Sequence, residues 1–142
     1  MLVSATAIYN RHSVAQYQNE DLRSLGAYLQ QRSGEREPLF VVSNYMAPAV
    51  AHDLSQDWKV FELPPVEATE AMESSMELVP LARHTFADHL PKGGPFWLAY
   101  TRSFHGDPDG AILGHLNENA TLKKVQEFPG IVLYRGKSEA ER

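Results

Sequence analysis

Apolar residues recur along the chain at two different periods, and the alternation between those periods predicts the architecture. Leu22, Leu25 and Leu29 stand at i, i+3 and i+7, the spacing of one face of an α-helix. Asn19 is placed to cap that helix, and Glu20 and Asp21 bring negative charge to its N-terminal end. Ser33-Gly34 ends it. PLFVVS, from Pro38 to Ser43, is a short, unbroken apolar run bounded by breakers and predicts a buried strand. A short helix from about Pro48 to Leu54 follows, with proline in its first turn. WKVFEL, from Trp58 to Leu63, alternates as a second strand. PPVEATEAMESSMELVP opens on a proline break and is acidic, with few large side chains beyond Met72 and Met76; it reads as a loop or a weak helix. Leu81 to Leu90 predicts a helix behind Pro80. PKGGP is a loop, and PFWLAYT is the third and strongest strand.

The connection SFHGDPDG combines His105, Asp107 and Asp109, a set that invites a metal or catalytic reading. Capping explains it more simply. Asp107 suits an N-cap, Pro108 the first helical position, and Asp109 the first turn. Ile112, Leu113 and Leu116 then form an apolar stripe. LKKVQEF and GIVLYRG, joined by Pro129-Gly130, predict an antiparallel hairpin, and GKSEAER a solvated tail. Helices alternating with strands imply an α/β fold: a small three-layer, mainly parallel, Rossmann-like sheet with a C-terminal antiparallel hairpin. Residues 1–18 form a lead segment, 19–136 a single domain and 137–142 a disordered tail.

Composition narrows the function. The chain has 142 residues, 43% of them hydrophobic, enough for one domain with its own core. Thirteen basic against eighteen acidic residues leave a net charge of −5, which argues against a nucleic-acid partner. The absence of cysteine excludes disulfides, thiolate metal sites and thiol nucleophiles. No stretch approaches the ~18 apolar residues of a membrane span. MLVSATAI lacks a basic lead and makes a poor signal peptide; it reads as a first strand, a frayed end or the last turns of a membrane helix.

In a parallel sheet, sites collect beyond the carboxyl ends of the strands. That rule selects Ser43-Asn44-Tyr45 after the first strand, Pro64-Pro65 after the second and Thr101-Arg102-Ser103-Phe104-His105 after the third, and within these loops Asn44, Tyr45, Arg102, Ser103 and His105 are the ligand-binding candidates. Neither GxGxxG nor GxxxxGK[ST] occurs, so no nucleotide fingerprint is present. HExxH and GxSxG are also missing, and His84 and His89 stand five apart, on different sides of a helix. His52-Asp53 reads as a surface pair. The residues therefore imply no catalytic group, metal or cofactor. Asn119-Ala120-Thr121 matches a glycosylation sequon, a pattern common by chance.

Several pieces together resemble a known family. YNRHSVAQYQNEDLRSLGAYLQQR resembles the segment after the last membrane helix of family-39-type glycosyltransferases, which include the protein mannosyltransferases and the aminoarabinose transferase. The family's "D-W-R" element would be Asp21-Leu22-Arg23, with leucine in place of tryptophan. PLFVVSNYMAPAVAHDLS, PFWLAYTRS and FPGIVLYRGK resemble later elements in the same order, from Tyr9 to Lys137. In that family the catalytic acid and the polyprenyl-phosphate-sugar site lie in the membrane portion. The resemblance therefore implies a non-catalytic soluble domain on the extracytoplasmic (periplasmic) face. Its partners would be the membrane portion of the same polypeptide and a saccharide or polyprenyl-linked acceptor. The alternatives are a free-standing small α/β hydrolase or transferase with His105 as base, and an interaction module that exposes an apolar patch.

Overall fold

Five residues without a polar side chain, Pro38–Val42, form strand β1, and all five are buried. A strand of this kind must be covered on both faces and flanked on both edges. In the computed structural model, which describes residues 20–32, 37–63, 86, 88–89 and 93–139, both requirements are met. β2 (Lys59–Glu62) and β3 (Pro95–Thr101) pair with β1 in parallel, one on each side. β4 (Ala120–Phe128) and β5 (Ile131–Ser138) form the expected hairpin, turning at Pro129 and Gly130, where Gly130 takes φ +73°. β5 joins β3 antiparallel, giving the order β2-β1-β3-β5-β4. The fold is thus mixed α/β, with three parallel strands and an antiparallel hairpin at one side.

The described helices with defined bounds are α1 (Leu22–Gln31), α2 (Ala47–His52), α3 (Ser103–Gly106) and α4 (Ala111–Asn119), and a 3-10 turn, Asn44–Met46, leads into α2. Side chains alternate across the central strands. Phe40, Val42, Phe96 and Leu98 point to one face, where they meet Phe86 and, from α4, Ile112 and Leu116. Leu39, Val41, Trp97 and Ala99 point to the other, against Leu25 and Leu29 of α1 and Ala47 and Val50 of α2. The first face is aromatic: Phe86 lies 5.1 Å from Phe40 and 5.0 Å from Phe96, centroid to centroid, the latter pair edge to face. Pairs of this geometry add to simple burial.

Three local expectations are corrected. α1 is capped by Asp21, whose carboxylate accepts from the Ser24 N–H at 3.1 Å and the Ser24 hydroxyl at 2.6 Å. These two bonds, the hydroxyl's first, hold the Asp21 carboxyl below its usual range. Glu20 is drawn away to Arg102 instead. Pro108 does not begin a helix. The chain first makes the single turn α3 and then reverses at Gly110, with φ +69°; Asp107 caps α4 from outside, accepting from the Ile112 and Leu113 N–H groups at 2.9 and 3.0 Å. Lys137 and Ser138 belong to β5 rather than to a tail, and the Ser138 N–H donates to the Gly94 carbonyl at 3.0 Å. The lead segment, Asn19, Ser33-Gly34, the acidic stretch with Met72 and Met76, and most of the helix expected at 81–90 lie outside the described residues. Of that last helix, Phe86, Asp88 and His89 are helical.

A glycine on β5 sets how closely the aromatic face packs. A Cβ on Gly136 would fall 2.2 Å from the Phe96 ring, so the ring lies directly on the β5 backbone. Gly136→Ala is expected to destabilise the protein by about 1–3 kcal/mol through overpacking. A lower urea midpoint at unchanged slope checks this.

Candidate functional site

The connection after β1 leads to α2 on one face of the sheet, and the connection after β3 leads to α4 on the other. Adjacent parallel strands whose connections part in this way open a crevice at their carboxyl ends. Here the strand ends are locked together below the crevice. The Thr101 hydroxyl donates to the Val42 carbonyl at 2.6 Å and accepts from the Ser43 N–H at 3.1 Å. The Ser43 hydroxyl donates to the Arg102 carbonyl at 2.8 Å. Ser43 and Thr101 are both buried. Gly106 closes over them, and a Cβ there would sit 2.2 Å from the Ser43 Oγ.

Above this floor the two loops bring their side chains together. Arg102 adopts φ +42°, the left-handed region that a non-glycine residue enters at a cost. Its guanidinium donates through Nε and Nη2 to Glu20, with Nη2 3.2 Å from Oε2. The Glu20 carboxylate raises the Arg102 pKa above its ordinary value; burial opposes this, and a hydrogen bond to the Tyr45 phenol adds to it. The Tyr45 Oη lies 2.9 Å from the His105 Nδ1. Which of the two groups donates follows from the tautomer of the imidazole.

Two aromatic rings lie next to this imidazole. Phe104 is stacked at a tilt, 4.5 Å between centroids, and Tyr45 lies at 6.1 Å. Tyr45 and Phe104 are 46% and 50% exposed, and among the described residues they are the large hydrophobics that face solvent. Their clustering at one end of the sheet is therefore a local feature of this crevice, not a general property of the surface.

Of the five residues selected from sequence, Tyr45, Arg102 and His105 converge. Asn44 is buried, and its Oδ1 accepts from the Tyr45 N–H at 2.7 Å, which shapes the turn. Ser103 begins the α3 turn, and its carbonyl accepts from the Asp107 N–H at 2.8 Å. Glu20 is the member that sequence reasoning missed, whereas Phe104 lies within the loop it selected and was not singled out there. Phe104 carried a signal, an aromatic residue inside a polar strand-end connection. Glu20 carried none, because its partner is 82 residues away.

His105 and Asp107 have separate partners. The Tyr100 phenol donates to Asp107 at 2.8 Å, and the same carboxylate holds the start of α4. Among the described residues no three His, Cys, Asp or Glu side chains are placed to share a metal ion, and no helix is long and apolar enough to cross a membrane. His52 and Asp53 form an exposed pair at 3.3 Å. The chain matches none of the models of known protein families and shows no convincing similarity to any curated protein.

Tyr100 gives the crevice wall a pH dependence. Burial first, and then the Asp107 carboxylate, push its phenol well above the ordinary value. A raised folded-state pKa contributes stability that is complete below the unfolded value, about 10, and is lost as pH rises beyond it. Unfolding free energy measured from about pH 9 to about pH 11.5 should therefore fall more steeply for the wild type than for Tyr100→Phe. At neutral pH the variant should lose about 1 kcal/mol, for the missing hydrogen bond.

Proposed function

We propose that the chain is a non-catalytic recognition domain of a membrane glycosyltransferase-like protein, positioned on the extracytoplasmic, periplasmic side. The observation that carries the recognition role is the pair of exposed rings, Tyr45 and Phe104, that both lie next to a hydrogen-bonded imidazole at the strand ends. The strained backbone of Arg102 is a second support, since such conformations concentrate at functional positions. In this reading the sheet and its helices form a small three-layer, Rossmann-like support. The face contacts the acceptor or a partner segment, and the membrane portion of the same polypeptide supplies the chemistry. The order of elements along the chain, which resembles the segment after the last membrane helix of family-39-type glycosyltransferases, supports that placement.

An enzyme with His105 as base is less well supported. Its Nδ1 is already hydrogen-bonded to Tyr45. The buried Ser43 hydroxyl is spent on backbone carbonyls. An interaction module using the same two rings differs from the leading reading only in its partner.

The isolated chain should turn over none of the nitrophenyl esters, phosphates or glycosides. A turnover that His105→Ala abolished would replace this reading with the enzyme. Within the parent reading frame, upstream DNA should encode several apolar stretches of about 20 residues. In that parent protein, combining Tyr45→Ala with Phe104→Ala should raise KM for the acceptor by roughly three- to tenfold and leave kcat nearly unchanged.

A further inference from the structure

We infer that the strand-end face carrying Tyr45 and Phe104 rests on a lipid surface of zwitterionic headgroups, with the two rings entering the headgroup layer. This inference rests on reading the chain as the soluble part of a membrane protein, and it adds which face is turned to the bilayer.

The first ground is where the preceding chain joins the domain. Nineteen residues come before Glu20. The Glu20 carboxylate is tied to Arg102, and the next residue, Asp21, donates its N–H to the Pro129 carbonyl at 3.0 Å. Pro129 stands in the turn between β4 and β5, and Ile131, which opens β5, pairs with Thr101, which ends β3. Arg102 follows Thr101 directly. The chain therefore enters the domain at the same end of the sheet that carries Tyr45 and Phe104, and an anchor upstream of Glu20 draws this end toward the membrane. The opposite end is charged. Glu37 and Arg135 form an ion pair there, and Lys59 and Lys137, which pair with the first residues of β1 and β3, are exposed.

The second ground is the composition of the face. Aromatic side chains concentrate where a membrane meets water, because the ring is apolar while the headgroup layer still satisfies a phenol or an imidazole. A buried aromatic residue removes about 150–250 Å² from water, so two that are about half exposed offer on the order of 200 Å². Each partner in a stable protein interface gives ~800 Å². The smaller area does not hold two freely diffusing molecules together, but it suffices against a surface to which the chain is already tethered. Charge selects the headgroup. Across residues 43–46 and 102–110 the one Lys or Arg is Arg102, and it donates to Glu20. Anionic lipids are held by clusters of basic side chains, and these two loops carry no such cluster.

The test uses the absence of cysteine. Ser4→Cys provides a single thiol for coupling the chain to maleimide-bearing phosphatidylcholine vesicles whose acyl chains are brominated near the glycerol. Phe104→Trp then places a fluorophore on the face, while the native Trp58, just before β2, and Trp97, near the start of β3, report from the other end of the sheet. The coupled Phe104→Trp chain is expected to lose emission relative to the same chain left uncoupled, and the coupled chain with only its native tryptophans is expected to keep it. Adding Tyr45→Ser should reduce that loss by roughly half, since the attraction scales with the apolar area buried. A urea midpoint equal to that of the Ser4→Cys chain shows that each variant is folded. No loss in the coupled Phe104→Trp chain, or an equal loss from the native tryptophans, overturns the inference. So does a loss that appears only when phosphatidylserine is added, which assigns the contact to charge. A concentration-dependent dimer that shields the Phe104→Trp fluorophore without lipid also overturns it, making a second copy the occupant. The recognition reading fails separately, if the double substitution in the parent protein leaves the acceptor KM unchanged; the quenching result does not depend on that measurement.

Discussion

The arrangement of the whole crevice depends on a few buried hydrogen bonds between Ser43, Thr101 and the backbone of Val42 and Arg102. Parallel strands β1 and β3 end side by side, and their next residues must leave in opposite directions to reach helices on opposite faces. Separating two chains at that point strips backbone groups of their ladder partners while they are still buried. The two hydroxyl side chains supply the missing partners, and among the described residues no buried side-chain polar atom is left without one. Gly106 can then settle directly on Ser43. Without that close approach, the turn carrying Phe104 and His105 would stand away from Tyr45.

A second layer of organisation is the way charge is consumed. Asp107 is 2% exposed, yet three donors reach it: the Tyr100 phenol and the N–H groups of Ile112 and Leu113. A buried carboxylate is tolerable only when satisfied in this way. Arg102 is treated similarly by Glu20, and at the opposite end of the sheet Glu37 accepts from the Trp97 indole at 2.8 Å and from Arg135, which lies 4.4 Å from the Trp97 ring centroid. Charged groups next to the core are thus held in pairs or capping roles. The large side chains that face solvent at the strand ends are the aromatic rings of Tyr45 and Phe104.

Much of the framework was legible in the sequence because it follows from local periodicity. The continuous apolar run of β1, the seven-residue β3 and the Pro129-Gly130 hairpin each carry their own signal. The misplaced boundaries have a common cause. Asn19, Asp21, Asp107 and Pro108 are all residues that helix starts favour, and sequence spacing alone cannot tell which of several eligible neighbours does the capping. Asp21 was selected by the hydroxyl and N–H of Ser24, and Asp107 was selected from outside the helix, across a turn that Gly110 made possible.

The sequence by itself determined the α/β class, the parallel core strands, the closing hairpin and the two loops where polar and aromatic residues would meet. These depend on side-chain period, breaker residues and the rule that connections leave from strand ends, all of which are local or topological. Only the tertiary structure decided which members of those loops share a surface. Asn44 accepts from the Tyr45 N–H, Phe104 packs beside His105, and Glu20 arrived from before the first helix to pair with Arg102. The reason is that side-chain direction at the end of a strand is set by hydrogen bonds between residues about 60 to 80 positions apart. Such partners leave no mark on each other's sequence neighbourhood.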